Sequence, residues 1–253
     1  MSDLFALHGQ RAVVTGASRG LGRAMAIALA RAGADVACVS STLEGTTHTA
    51  AEIRGLGRQS WQFACDLSDR AAVQELAARV EGEAGAIGIL VNNAGTIKRH
   101  PAVGFPLEDW DVVLRTNLDS VFLLCQGFGR GMIERGAGKI INVASLLAFS
   151  GGITVPAYTA SKHAVAGLTK ALANEWARHG VQVNAIAPGY FNTDNTAALR
   201  ANEQRFHEIS ARIPAGRWGE PQDLSGPVVF LAAPASDYVN GHVLLVDGGW
   251  MAR

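Results

Sequence analysis

Neither sign of charge is in excess. Among 253 residues, 22 basic side chains meet 22 acidic ones, so the formal net charge is zero. A polyanion-binding surface needs a surplus of lysine and arginine, and the lack of one argues against a nucleic-acid partner. Cysteine is scarce. Cys38, Cys65 and Cys125 are scattered through apolar sequence, with no C-x-x-C pair and no Cys/His cluster. This excludes a disulfide frame or zinc site as the organising feature, and no metal is expected. Reduced, buried thiols in a cytoplasmic protein are the expectation. Residues 1–10 hold no basic stretch followed by a long apolar run, which argues against a secretion signal. No apolar stretch reaches the roughly 20 residues that span a bilayer, so no membrane role is expected. Internal repeats, low-complexity tracts and Pro/Ser linkers are also missing. Residues 1–253 therefore read as a single domain.

What is abundant is apolar sequence, 48% against 17% charged, as in a compact globular chain. Short β-branched runs alternate with longer helical patterns. Strands are expected at Arg11–Thr15, Asp35–Ser40, Ser60–Cys65, Ile87–Asn92, Lys139–Val143, Val181–Ala187 and His242–Val246. Between them lie helices over Leu21–Ala32 and Glu44–Leu56, one after Asp69 and one around Tyr158–His179. In the helix after Asp69, Val73, Leu76, Ala77 and Val80 recur at helical spacing. Strands that are apolar throughout are buried on both faces. With helices between them they imply an α/β fold, a doubly wound, Rossmann-like parallel sheet of about seven strands covered on both sides. Gly189–Pro234 lacks strand signal. Its polar, helix-prone part, Asn195–Ile213, reads as a small mobile lid.

The first strand runs into Thr15-Gly16-Ala17-Ser18-Arg19-Gly20-Leu21-Gly22, which opens the first helix. Glycines at 16, 20 and 22 permit a sharp turn, close approach of a pyrophosphate, and tight packing of helix on strand. The helix N-terminus then offers free N–H groups to the anion. The remaining binding candidates sit at other strand ends. Asp66, followed by Leu67, ends the third strand, where a carboxylate can accept from an adenine amino group. Asn92-Asn93-Ala94-Gly95 ends the fourth, with Asn92 read as structural, satisfying loop backbone, and Asn93 as a ligand contact. Ser40-Ser41-Thr42 ends the second, where an Asp would hold a ribose diol. Hydroxyls there, with Arg19 nearby, lean towards a 2′-phosphate and hence NADP(H) over NAD(H).

Tyr158 and Lys162 are spaced i and i+4, on one helical face. A phenol with a pKa near 10 is a poor base at neutral pH, and a neighbouring ammonium favours its ionised form. Tyr158 is thus the candidate general acid/base. Ser145, ending the preceding strand, is placed to hold the substrate oxygen. Asn117 is expected mid-helix, where asparagine is a mediocre helix former, as the holder of a water that links Lys162 to solvent.

Over its whole length the sequence resembles the short-chain dehydrogenase/reductases. T-G-A-S-R-G-L-G, N-N-A-G, Asn117, Ser145, Tyr158-x-x-x-Lys162 and Pro188-Gly189 match that superfamily in order and spacing. The resemblance implies a nicotinamide-dependent oxidoreductase with Tyr158 as acid/base. Lys162 would bind the nicotinamide ribose and tune Tyr158. Ser145 would orient the carbonyl, Asn117 would serve the proton relay, and Thr193 would touch the carboxamide. Arg212-Ile213-Pro214-Ala215-Gly216-Arg217-Trp218-Gly219 and Ser236-Asp237-Tyr238-Val239-Asn240-Gly241 resemble the 2-deoxy-D-gluconate 3-dehydrogenase / 2-dehydro-3-deoxy-D-gluconate 5-dehydrogenase group more closely. That likeness implies a deoxy-keto sugar acid as substrate and a homotetramer built on paired long helices and the C-terminal segment. A carboxylate calls for an arginine. Lys98, Arg99 and His100 follow N-A-G, and Arg200 and Arg205 lie in the lid. Arg99 and Arg205 are the preferred pair, with Tyr190 and Ser145 completing the expected substrate contacts. The alternatives are a 3-oxoacyl-carrier-protein reductase, which shares the tetrad but would want a basic outer surface, and a catalytically idle dinucleotide sensor, against which an intact tetrad argues.

Overall fold

A computed structural model describes residues 3–253. Seven strands form one all-parallel sheet: β1 (Arg11–Thr15), β2 (Asp35–Ser40), β3 (Ser60–Ala64), β4 (Ile89–Asn92), β5 (Gly138–Val143), β6 (Val181–Pro188) and β7 (Val243–Val246). Their spatial order is β3-β2-β1-β4-β5-β6-β7. The chain therefore winds outward from β1 in one direction, returns, and winds outward from β4 in the other. The carboxyl ends of β1 and β4 flank the point where the winding reverses, and a crevice must open there.

Nine α-helices cover the sheet among the described residues: α1 (Gly20–Arg31), α2 (Thr47–Gly55), α3 (Arg70–Ala84), α4 (Leu107–Leu114), α5 (Ser120–Arg135), α6 (Pro156–Trp176), α7 (Ala197–Ala201), α8 (Glu203–Arg212) and α9 (Ser225–Ala232). The pleat divides the core in two. Along β1, Val13 joins the apolar cluster with Leu76, Phe128 and Val165 from α3, α5 and α6. Its neighbours Ala12 and Val14 face the opposite cluster, with Met25, Ile53 and Leu231 from α1, α2 and α9. Both faces of β1 are buried, which is why its sequence is apolar without alternation.

The observed elements differ from the sequence expectations mainly at their ends. The strand expected from Ile87 begins at Ile89, although Gly88 already bonds to both neighbouring strands, donating to Arg11 O and accepting from Lys139 N. α6 begins at Pro156 rather than Tyr158, with proline at the first turn where its missing N–H is harmless. Its end tightens into a 3-10 turn over Ala177–His179, closed by Gly180 at φ +74°. The Asn195–Ile213 segment is helical and docked. Ile209 is buried, and Phe206 stacks on Trp218 with ring centroids 5.6 Å apart.

Candidate active site

A cleft of about 780 Å³ opens along the carboxyl edge of the sheet. That volume lies inside the roughly 300–1,000 Å³ of small-molecule and cofactor sites. Every residue assigned to the cofactor from sequence lines it: Gly16, Ser18, Arg19, Gly20, Leu21, Gly22, Ser40, Asp66, Leu67, Asn93, Ala94, Gly95, Tyr158, Lys162, Pro188, Gly189 and Thr193. The lining also includes residues that the sequence did not single out, among them Cys65, Thr96, Thr116, Phe191, Asn192, Asp194 and Pro221.

The floor of the cleft is the glycine loop. Gly16 has φ +65° and Gly20 φ +54°, the left-handed region that disfavours side chains. A Cβ on Gly22 would sit 2.1 Å from Gly16 O, so no larger residue fits between loop and helix. Arg19, at the N-cap of α1, makes no side-chain capping bond, and the first turn has no acid. The first-turn N–H groups and the positive end of the helix dipole are therefore available to an anion. This cradle fits a dinucleotide pyrophosphate.

The strand-end residues are less available than sequence implied. Asn93, expected to contact ligand, donates from Nδ2 to Thr15 O (2.9 Å) and Gly16 O (3.3 Å), so its amide braces the glycine loop. Asn92 does not serve loop backbone. It donates to Asn142 Oδ1 (2.9 Å) and Cys125 Sγ (3.3 Å) inside the core. Asp66 accepts from both the N–H and the hydroxyl of Ser68 through Oδ1, and these bonds, the backbone one first, hold its carboxyl below the usual range. Ser40 donates to Thr42 O at 2.5 Å, closing the turn after β2.

Tyr158, Ser145 and Lys162 converge on the other half of the cleft. Ser145 Oγ accepts from Leu147 N (3.2 Å), and its hydroxyl lies close enough to the Tyr158 phenol to favour the ionised form. Lys162 is only 4% exposed and donates to Val143 O at 2.7 Å, with Nζ 5.5 Å from the Tyr158 ring centroid. Burial pushes the Tyr158 phenol up from its ordinary value, and the Ser145 hydrogen bond and Arg99 pull it back. Burial also lowers Lys162 to about 8. In the protein alone, burial is the largest influence on both groups. The i, i+4 spacing puts both on one face, but the amine runs past the ring to a β5 carbonyl, and desolvation dominates both groups.

Asn117 lies in a π-helical turn, Arg115–Asp119, between α4 and α5, not in regular α-helix. Its Oδ1 accepts from Thr96 N (2.8 Å), and its Nδ2 donates to Thr96 O (2.9 Å) and Ser161 Oγ (3.2 Å). The side chain is a brace joining this turn, the loop after β4 and α6. Both amide donors are committed, so the expected hold on a water falls to the backbone of the turn or the second lone pair of Oδ1. A Cβ on Gly95 would lie 3.3 Å from Asn117 Oδ1 and 3.8 Å from Lys162 Nζ, so Gly95 marks where the two meet.

The expected substrate residues are not all brought together. Ser145 lines the cleft, whereas Arg99, Tyr190 and Arg205 do not. Arg99 stands close enough to lower the Tyr158 phenol, and it donates to Asn195 O at 3.2 Å. Arg205 pairs with Glu208 one turn along α8 (2.8 Å) instead of facing Arg99. Tyr190 packs against Trp250 and Trp218, with centroids 4.7 and 5.3 Å away. Lys98 and His100 both bind Asp109, at 3.1 and 2.7 Å, and that carboxyl is held below its usual range by those bonds.

A doubly wound sheet with a glycine cradle at one end of the cleft and a Ser/Tyr/Lys cluster at the other defines an oxidoreductase of the nicotinamide type. The chain belongs to the short chain dehydrogenase family, whose model matches residues 10–204. It is an NAD(P)-dependent oxidoreductase acting on CH–OH groups. It is 54% identical over 253 residues to the 2-dehydro-3-deoxy-D-gluconate 5-dehydrogenase of Bacillus subtilis (strain 168), covering 100% of this chain and 99% of that one. A solved structure from Beutenbergia cavernae, with NADP bound at low occupancy, superposes with TM-score 0.96 at 50% identity, covering 99% and 100% of the two chains. A gluconate 5-dehydrogenase from Burkholderia cenocepacia J2315, in complex with NADP and tartrate, gives TM-score 0.96 at 41% identity over 100% and 99%.

Proposed function

We propose that this enzyme interconverts the ketone and secondary alcohol of a deoxy-keto sugar acid of the 2-dehydro-3-deoxy-D-gluconate type. The observation that carries the reaction is the convergence of the Ser145 and Tyr158 hydroxyls beside the cleft, over the buried Lys162 amine. When bound, the nicotinamide supplies or accepts the hydride. Ser145 holds the substrate oxygen through its hydroxyl. Tyr158 gives that oxygen a proton during reduction and takes it back during oxidation. Lys162, fixed by Val143 O, carries the positive charge that makes phenolate formation less costly while it remains protonated. Gly16, Gly20 and the first turn of α1 hold the pyrophosphate.

The substrate class rests on the full-length likeness to the Bacillus subtilis sugar-acid dehydrogenase and on a cation beside the catalytic hydroxyls. Arg99 is that cation, and a charge-assisted bond to a carboxylate would turn the keto carbon towards the cleft. Arg19, with the hydroxyls of Ser40–Thr42, supports a preference for NADP(H). The catalytic unit is a single domain, 1–253, with a lid over 195–213, working as a cytoplasmic homotetramer. Steady-state kinetics with NAD and NADP against a panel of deoxy-keto sugar acids tests the assignment. Turnover of uncharged ketones at higher kcat/KM than any sugar acid would overturn it. The same panel isolates Arg99. In Arg99→Ala, KM should rise at least about tenfold for the acids, in line with the 1.5–3 kcal/mol of a hydrogen bond to a charged group, and hardly at all for an uncharged ketone of similar size.

A further inference from the structure

The segment Thr193–Asn195 lines the cleft and is held by three arginines from three parts of the chain. Arg200, in α7, donates to Thr193 O at 3.1 Å, and Arg99, after β4, donates to Asn195 O at 3.2 Å. Arg19, in the glycine loop, pairs its Nε with Asp194 Oδ2 at 2.8 Å. Two of these contacts are to backbone carbonyls and are indifferent to which side chain stands there. The third joins charge to charge, and both partners line the cofactor cleft. Thr193 Cγ2 also lies 3.6 Å from where a Cβ on Gly20 would stand, so the strap and the glycine loop touch here.

Arg19 is the residue whose cation supports 2′-phosphate binding, and in this structure its guanidinium is already paired with a carboxylate. We propose that Asp194 is a specificity-determining residue that sets NADP(H) against NAD(H) by holding Arg19. A dianionic 2′-phosphate approaching Arg19 must displace the Asp194 carboxylate or lie beside it. Displacement breaks the ion pair, and proximity adds like-charge repulsion. Both routes cost binding for the phosphorylated dinucleotide alone, since a ribose diol makes neither demand. The pair is exposed, with side chains 76% and 72% accessible. Its strength is therefore that of a surface ion pair, and the discrimination it imposes is about two- to fivefold, graded rather than absolute.

The proposal rests on the reading that Arg19 meets the 2′-phosphate, and calorimetry with nucleotide fragments separates the two. The probes are 2′,5′-ADP and 5′-ADP, titrated into the wild type, Asp194→Asn, Arg19→Ala and the double variant at low ionic strength. In Asp194→Asn, the dissociation constant for 2′,5′-ADP should fall about two- to fivefold, while that for 5′-ADP stays constant. In the Arg19→Ala background the same substitution should give no gain. An unchanged or equally changed affinity for both fragments in Asp194→Asn overturns the proposal, as does a gain that persists without Arg19. Equal loss of both fragments in Arg19→Ala would instead remove the underlying assignment of Arg19 to the phosphate. NADPH and NADH titrations followed by protein-to-nicotinamide energy transfer should show the same contrast.

Discussion

The proposed chemistry turns on two side chains whose ionisation is set against them by burial. Tyr158 is raised and Lys162 is lowered to about 8, each chiefly because the folded protein excludes water from its charged form. Tyr158→Phe removes the transferable proton and leaves the glycine cradle untouched. Turnover should fall by about 10²–10⁴-fold with cofactor affinity retained, as measured by steady-state rates beside dinucleotide titration. Near-normal turnover in a folded variant would sink the mechanism. The amine of Lys162 titrates at 10.5 when unperturbed and at about 8 in the fold, so the folded state binds fewer protons than the unfolded chain between those values. Below pH 8 the ammonium must be carried into the interior, a cost on the order of 3 kcal/mol that fades as pH rises to 10.5. The stability of Lys162→Met relative to wild type should therefore be highest near pH 7 and decline towards pH 10 in paired urea titrations. A difference that does not vary with pH would mean that the folded amine titrates as it does in the unfolded chain and that burial does not shift it. Tyr158, Lys162 and Ser145 were legible in the sequence because local spacing and strand ends define them. The pairing of Arg19 with Asp194 was not, since it joins residues far apart in the chain and Asp194 belongs to no local pattern.

At the scale of elements, the glycine loop and the π-turn do the positioning. The loop was readable because its constraint is steric and local. Gly22 packs against Gly16 O with room for a hydrogen only, and α1 must start there. Gly22→Ala should therefore either push helix from strand or distort the loop. The expected outcome is at least a tenfold weaker dinucleotide affinity, together with a lower melting temperature, the direction set by the roughly 1–3 kcal/mol cost of overpacking. Unchanged affinity would mean that the cradle is not where the pyrophosphate sits. The π-turn over Arg115–Asp119 left only an indirect trace, an asparagine where a better helix former would serve. A widened turn has no residue signature of its own, although π-bulges recur at functional sites. Least legible was the packing of the segment 195–213. Its polar character suggested mobility, yet its few apolar residues, Phe206, Ile209 and Ile213, gather with Trp218 and Trp250, which lie outside it in sequence. Arg212 completes that dock by lying 4.1 Å over the Trp250 ring. Helical period alone could not show that partner, because it is assembled from the end of the chain.

For the molecule as a whole, strand order follows from alternation of apolar strands and helices, and the site follows from strand order at the reversal between β1 and β4. What the single chain leaves uncovered points to assembly. Phe122 on α5 is 43% exposed and Leu107 on α4 is 78% exposed, although both are large and apolar. On a different part of the chain, the edge strand β7 presents Leu245, and Tyr238 just before it is fully exposed. An uncovered edge strand is a standing invitation to pair or pack with another chain. An assembly that used each of two separate patches across its own twofold axis would close at four chains, as the proposed homotetramer requires. Light scattering coupled to size exclusion should thus report four chains of 26.5 kDa, about 106 kDa in all. Phe122→Glu places a charge in one patch and should leave dimers held by the other. Tyr238→Glu should do the same through the opposite interface, and the double variant should be monomeric. A wild type that scatters as a single chain at micromolar concentration would refute the tetramer. Dissociation to monomers by either substitution alone would show instead that one continuous interface, not two, holds the assembly together.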